Sequence, residues 1–134
     1  MFGKPIYICV QKDIVYPINW ILKDFERQVV PRHFDSVSEV HKALEKEECE
    51  VLLLDSIITD RSTLDLAREV KDSKASVKIL LVVSIGTTKE EVMDIIKSRY
   101  VNGILLRPFT ATQVSEYIYR LTGIPKPSCL TYHM

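Results

Sequence analysis

The chain has 134 residues with 18 Lys and Arg against 18 Asp and Glu, so its formal charge is zero, and its pI is about 6.8. That length is one domain, and the charge balance leaves no electrostatic footprint for nucleic acid or an anionic membrane. With 46% hydrophobic and 27% charged residues, four Gly and six Pro, the composition closes a core and excludes disorder over most of the chain.

No apolar run approaches the ~20 residues of a membrane helix, and the opening Met-Phe-Gly-Lys-Pro leads into a strand-like run without the build of a signal peptide. A cytoplasmic protein with neither membrane nor nucleic acid among its partners is expected. Cys9, Cys49 and Cys129 are odd in number, far apart and without a CxxC pattern, which supports neither a disulfide framework nor a zinc site. Cys9 reads as a small buried apolar residue.

In chain order, short β-branched apolar runs alternate five times with amphipathic stretches. A first strand over 6–10 precedes a helix over about 16–27, where Ile18, Ile21, Leu22 and Phe25 form one stripe. A weak strand over 29–34 carries Pro31 and reads as an edge. Ser36 and Glu39 form a capping box for a helix to about 46, with Val37, Val40 and Leu44 inward. The third strand, 51–54, is apolar throughout and ends at Asp55; such a strand is covered on both faces. A helix follows over about 62–74, with Leu64, Ala67 and either Val70 or Lys71 inward. The fourth strand, 79–83, stops at Ser84. Thr88 and Glu91 then cap a helix burying Val92, Ile95 and Ile96. The fifth strand, 104–106, ends in Arg107-Pro108-Phe109, and Thr110 with Gln113 caps a last helix carrying Val114, Tyr117, Ile118 and Leu121. Gly123 stops it, and residues 123–134 form an extended, Pro-containing tail behind a domain over 1–122.

Apolar strands separated by helical crossovers make parallel pairs. The expected fold is therefore an α/β, doubly wound, three-layer α/β/α sandwich around a five-stranded parallel sheet. Such sheets place chemistry beyond the carboxyl ends of their strands, which directs attention to Gln11, Lys12, Asp13, Asp55, Ser84 and Arg107. No G-x-S-x-G elbow, G-x-G-x-x-G or P-loop occurs. His33, His41 and His133 read as solvated surface, and Met93 and Tyr117 as packing.

The five-fold pattern, Asp55 ending the third strand, the hydroxyl of Ser84 ending the fourth and Arg107-Pro108-Phe109-Thr110 ending the fifth resemble the receiver domain of two-component response regulators, over roughly residues 4–122. The resemblance implies a flavodoxin-like strand order 2-1-3-4-5 and a signalling domain rather than an enzyme. It implies Asp55 as phosphoacceptor from a histidine kinase, Mg²⁺ held by Asp55 and an acid pair after the first strand, and Ser84 with a basic residue on the phosphoryl oxygens. A histidine kinase or another signalling protein is then the partner, and the face between the fourth helix and fifth strand would serve a partner or a homodimer.

The sequence departs from that pattern. The acid pair falls on Gln11 and Lys12 or on Lys12 and Asp13; the second register places Ile21 and Phe25 where the family buries its helix, and leaves Asp13 as the metal ligand beside Asp55. Arg107 stands where the family has Lys, and a planar fork is not a point charge. Ile104 stands at an aromatic switch position, and a Gly usual after the acceptor strand is replaced near Thr63. A physical reading follows: Lys12 could set its ammonium by Asp55 where Mg²⁺ would sit, with Arg107 opposite, favouring the ionised carboxylate. Lys12→Ala would then destabilise the fold or open a metal site. Three readings remain: a phosphorelay receiver using Mg²⁺, a phosphorylation-independent pseudo-receiver without cofactor that binds proteins through residues such as Lys12, Ile104, Pro108 and Phe109, and a small flavodoxin-like binding protein. The last lacks a phosphate cradle in residues 11–16.

Overall fold

The computed structural model describes residues 3–47, 49–56, 63–74, 76–84 and 86–124. They form β1 (Lys4–Cys9), α1 (Lys12–Leu22), a 3₁₀ turn (Lys23–Gln28), β2 (Val29–His33), α2 (Val37–Lys46), β3 (Val51–Asp55), α3 (Thr63–Ser73), β4 (Lys78–Val83), α4 (Lys89–Ser98), β5 (Gly103–Leu106) and α5 (Ala111–Thr122). All strands pair in parallel, in the order β2-β1-β3-β4-β5, which is the expected doubly wound sheet. The tail after 124, residues 57–62, Cys129 and His133 lie outside the described residues.

Successive strand residues face opposite sides of the sheet, and here both sides are apolar. Ile6, Ile8, Val51, Leu53, Leu80, Val82 and Leu105 pack under α1 and α5. Tyr7, Cys9, Leu52, Leu54, Ile79, Leu81 and Val83 pack under α2, α3 and α4. Each fully buried Leu or Ile contributes about 1.5–3 kcal/mol in transfer free energy. One row of the first face runs Ile8, Leu53, Leu80, Gly103 across the registered strands. At its end the Tyr117 ring fills the place of the missing side chain: a Cβ on Gly103 would lie 2.8 Å from Tyr117 Cδ1 and 3.0 Å from Leu80 Cδ1.

The largest departure from the sequence reading is the start of α1, which begins at Lys12 rather than near Tyr16. Pro17 suggests a first-turn position, yet it lies inside the helix, exposed, where its missing N–H removes one helical bond. Gln11 caps this helix without a side-chain hydrogen bond, and Asp13 lies in its first turn, where a carboxylate favours the dipole. The earlier start adds Ile14 to the buried stripe of Ile18, Ile21 and Leu22, while Phe25 is buried from the 3₁₀ turn. Tyr16 and Trp20 face outward, and Lys23 Nζ lies 5.7 Å from the Trp20 ring centroid.

Other differences are local. The boxes at Thr88 and Thr110 form in both directions, but that at Ser36 forms in one: Glu39 N–H donates to Ser36 Oγ, while the Glu39 carboxylate accepts from Asp35 N–H. In α3 the buried residues are Leu66, Ala67 and Val70; the side chain of Leu64 lies outside the described part. Lys71 is half-buried because its ammonium donates to Val77 O and Asn102 Oδ1. In α4 only Ile95 is fully buried, and Ile96 is 53% exposed because the helix packs along a narrower stripe. Pro31 lies on the outer strand β2, as an edge strand allows.

Candidate functional site

The carboxyl ends of β1, β3 and β5 bring Gln11, Asp13, Asp55 and Arg107 together. Asp55 closes β3 with no solvent exposure, so its carboxylate requires partners to offset its lost hydration. Gln11 N–H donates to Asp55 Oδ2 at 3.1 Å, and Arg107 Nη2 donates to the same oxygen at 2.9 Å. Arg107 Nη2 also reaches Gln11 Oε1 at 2.9 Å, and Arg107 Nη1 donates to Asp13 Oδ2 at 3.0 Å. The guanidinium's terminal nitrogens thus hold three side chains from two other elements.

The backbone sets this geometry. Arg107 N–H donates to Val83 O, continuing the β4–β5 ladder one residue past the strand. That fixes the Cα of Arg107 beside the end of β4, from which its long side chain crosses to β3 and the start of α1. The side chain is 15% exposed, whereas that of Asp13 is 64% exposed. The Asp55 contact therefore dominates, and the Asp13 contact is weakened by solvent. Desolvation pulls the Arg107 pKa down, but hydrogen bonds and charge from Asp13 and Asp55 outweigh it and hold the guanidinium above its usual value. Arg107 Nε is buried with no hydrogen-bond partner among the described residues. The fork is oriented by its two ends and not by full satisfaction of its donors.

Lys12 does not occupy the place expected of it. Successive helical residues diverge by about 100°, so with α1 starting at Lys12, Asp13 turns to the site and Lys12 turns away. Lys12 is exposed and has no ion pair among the described residues. Among the described residues, Arg107 is the cation paired with Asp55. Ser84 is half-buried after β4, and its hydroxyl pairs with Thr87 Oγ1 at 3.1 Å in the turn that opens α4. Ile104 is half-buried against the α2–α4 side, and its N–H donates to the Tyr117 hydroxyl at 3.3 Å. Pro108 is exposed, and Phe109 packs half-buried against the α1–α5 side.

The site was tested as a Mg²⁺ site by its donors. Mg²⁺ takes oxygen ligands at about 2.0–2.1 Å in an octahedron. Here Asp55 Oδ2, Gln11 Oε1 and Asp13 Oδ2 all accept from the guanidinium, and among the described residues no three His, Cys, Asp or Glu come together as a metal-binding group. With Arg107 in place, these residues do not fit the metal. What they form is a buried carboxylate held by an internal cation.

Comparison with known proteins agrees on the fold. No family model matches the chain, and no curated protein matches it. Among solved structures, the chain resembles a response regulator receiver domain protein from Clostridium thermocellum at 16% identity, covering 98% of this chain and 99% of that one with a TM-score of 0.73. It resembles a signal receiver domain from Vibrio parahaemolyticus at 14% identity, covering 96% and 97% with a TM-score of 0.78. It also resembles NtrX from Brucella abortus at 18% identity and a TM-score of 0.76, covering 90% of this chain but 27% of that one. The fold is that of receiver domains. No described helix is long and apolar enough to cross a membrane.

Proposed function

We propose that this chain is a cytoplasmic receiver-type signalling module that works by binding a protein partner, with its acceptor carboxylate engaged by its own arginine in place of a phosphoryl cycle. The observation that carries this reading is the Arg107–Asp55 pair at 2.9 Å on a carboxylate with no solvent exposure. Phosphoryl transfer to a carboxylate needs the charge on the incoming group and on the acceptor neutralised, ordinarily by a metal, and needs the acceptor oxygen open to in-line attack. Here Oδ2 accepts from Arg107 and from Gln11 N–H. The hydroxyl of Ser84 is turned into its own loop with Thr87. The zero net charge fits a protein partner better than a phosphate backbone, and the buried thiols of Cys9 and Cys49, joined in no disulfide, suit a reducing compartment.

The test is an amide NMR titration with beryllofluoride and Mg²⁺, which together mimic an aspartyl phosphate, on the wild type and Asp55→Asn. The expected result is no saturable shift in either. Saturable shifts around Asp55, Ser84 and Arg107 in the wild type alone would overturn this reading and make the chain a phosphorelay switch acting on Asp55.

A further inference from the structure

We infer that the exposed aromatic ridge of α1 is a docking surface and that its occupant is a proline-rich partner segment, in the polyproline II conformation, with acidic flanks. The inference rests on the reading of the chain as a protein-binding module, and deepens it by naming the chemistry of the partner.

At about 100° per residue, Lys12, Tyr16, Trp20 and Lys23 fall within an arc of about 80° on α1 and the residue that follows it, and no carboxylate shares that arc. Tyr16 is 75% exposed and Trp20 63%; two large rings one turn apart on an open face mark an interaction surface. The ridge has a cleft on each side. Towards β2 a space of about 470 Å³ is walled by Asn19, Leu22 and Pro31. Towards the start of α5 a space of about 450 Å³ is walled by Pro17, Phe109 and Ala111. Tyr16 and Trp20 line both.

The polar side-chain groups of this face are donors. The Trp20 indole and the Lys23 ammonium only donate. Asn19 keeps its amide N–H groups to offer, because its Oδ1 accepts from His33 Nε2 at 2.6 Å, and the Tyr16 hydroxyl donates or accepts. An occupant that covers these donors must bring acceptors, since a desolvated, unmatched donor weakens binding. A partner helix has its carbonyls bonded internally. A polyproline II segment has no internal hydrogen bonds, and its prolines carry no N–H, so it brings carbonyl acceptors and apolar rings without competing donors. The size agrees. Prolines in a P-x-x-P repeat lie about 9 Å apart, and clefts on either side of one helix are separated by that helix's width, about 10 Å. One proline then enters each cleft across the ridge, from a backbone that is already ordered. Lys12 and Lys23, towards the two ends of the ridge, favour acidic residues beside the prolines.

The experiment is an amide NMR titration of the full chain with a synthetic peptide, Pro-Leu-Pro-Pro-Leu-Pro flanked by Asp residues. Saturable shifts are expected at Tyr16, Trp20, Lys23 and Ala111. Trp20→Ala should weaken binding at least about tenfold, as for an aromatic anchor, and Tyr16→Ala should weaken it as well; both replace exposed side chains, and unchanged amide spectra elsewhere establish that they fold. Lys23→Glu should weaken the Asp-flanked peptide and strengthen a Lys-flanked one. The same peptide with Ala for every Pro should not bind. The inference is overturned by the absence of saturable shifts at millimolar peptide, by shifts confined to α4 and β5, or by equal binding of the Ala peptide, which would make the ridge a helix site. Concentration-dependent shifts on α1 without peptide would overturn it too, by assigning the ridge to a second copy of the chain. Failure here is distinguishable from failure of the proposed function. A wild type silent to both peptide and beryllofluoride removes this surface alone, whereas one that binds the peptide on α1 and also responds to beryllofluoride removes the closed carboxylate and keeps the surface.

Discussion

Asp55 has lost all contact with water, and among the described residues the Arg107 guanidinium is a charge that compensates it. Truncating a partner of a buried ion pair strands the other charge, which costs on the order of 3–5 kcal/mol. Arg107→Ala is therefore expected to lower stability by about 3 kcal/mol, measured by urea unfolding. Lys12→Ala, on an exposed side chain outside the cluster, should change it by less than about 0.5 kcal/mol. The reverse order of effects would return Lys12 to the site. A double-mutant cycle of Asp55→Asn with Arg107→Gln should give a coupling above about 1 kcal/mol, as expected for groups in direct contact. Asp55, Ser84 and Arg107 were legible in the sequence as strand-end residues, because in a doubly wound sheet chain position alone brings such ends to one edge. Which of Gln11, Lys12 and Asp13 faces Asp55 was not legible. It depends on the helix's starting residue, which the apolar stripe placed near Tyr16, four residues later than Lys12. Thr87, the partner of Ser84, carried no signal at all, since a turn hydroxyl looks alike whether paired or solvated.

At the scale of elements, the helix ends and the closing strand set the geometry around the site. The Thr88 and Thr110 hydroxyls each accept the backbone N–H of the residue three positions on, and in return the Thr88 and Thr110 backbone N–H groups donate to the side-chain oxygens of Glu91 and Gln113. Thr88→Ala and Thr110→Ala should each cost about 1 kcal/mol, read as a shift in urea midpoint at constant slope. β5 depends on Gly103 in a different way. Gly103→Ala drives a methyl into the Tyr117 ring and should destabilise by about 1–3 kcal/mol through overpacking. The same change in a Tyr117→Leu background should cost much less, since the colliding ring is gone; an equal cost in both would locate the strain elsewhere. The elements and their order were legible because apolar runs of strand length, three capping boxes and a Gly stop are local signals. The exposure of Ile96 was not, because periodicity names a stripe but does not say how wide a strip the neighbours cover.

Over the whole molecule, the two faces of the sheet differ in what they bury. The α2–α4 side holds Tyr7 and Cys49. Burial, then a hydrogen bond to Glu47, pushes the Tyr7 phenol up to about 12 from 10.0, and burial pushes the Cys49 thiol up to about 12 from 9.0. Both groups hold their protons in the folded state after the unfolded chain would release them. Their contribution is therefore fully present below pH 9 and is lost as pH rises towards about 12. Urea midpoints should fall across that alkaline window, and Tyr7→Phe should remove the part of the fall that begins near pH 10; a flat profile would refute the assignment. The thiol of Cys49 should likewise stay unmodified by a thiol reagent in the native state and react on unfolding.

Trp20 is the chain's single tryptophan, and it stands on α1 with 63% of its surface open and the Lys23 ammonium beside its ring. Its indole is already largely hydrated in the folded state, so intrinsic fluorescence will shift little when the core melts. Circular dichroism must follow unfolding instead. The same indole becomes the natural optical probe of encounter: any molecule that settles on α1 will dehydrate it and move its emission to the blue, with no label attached.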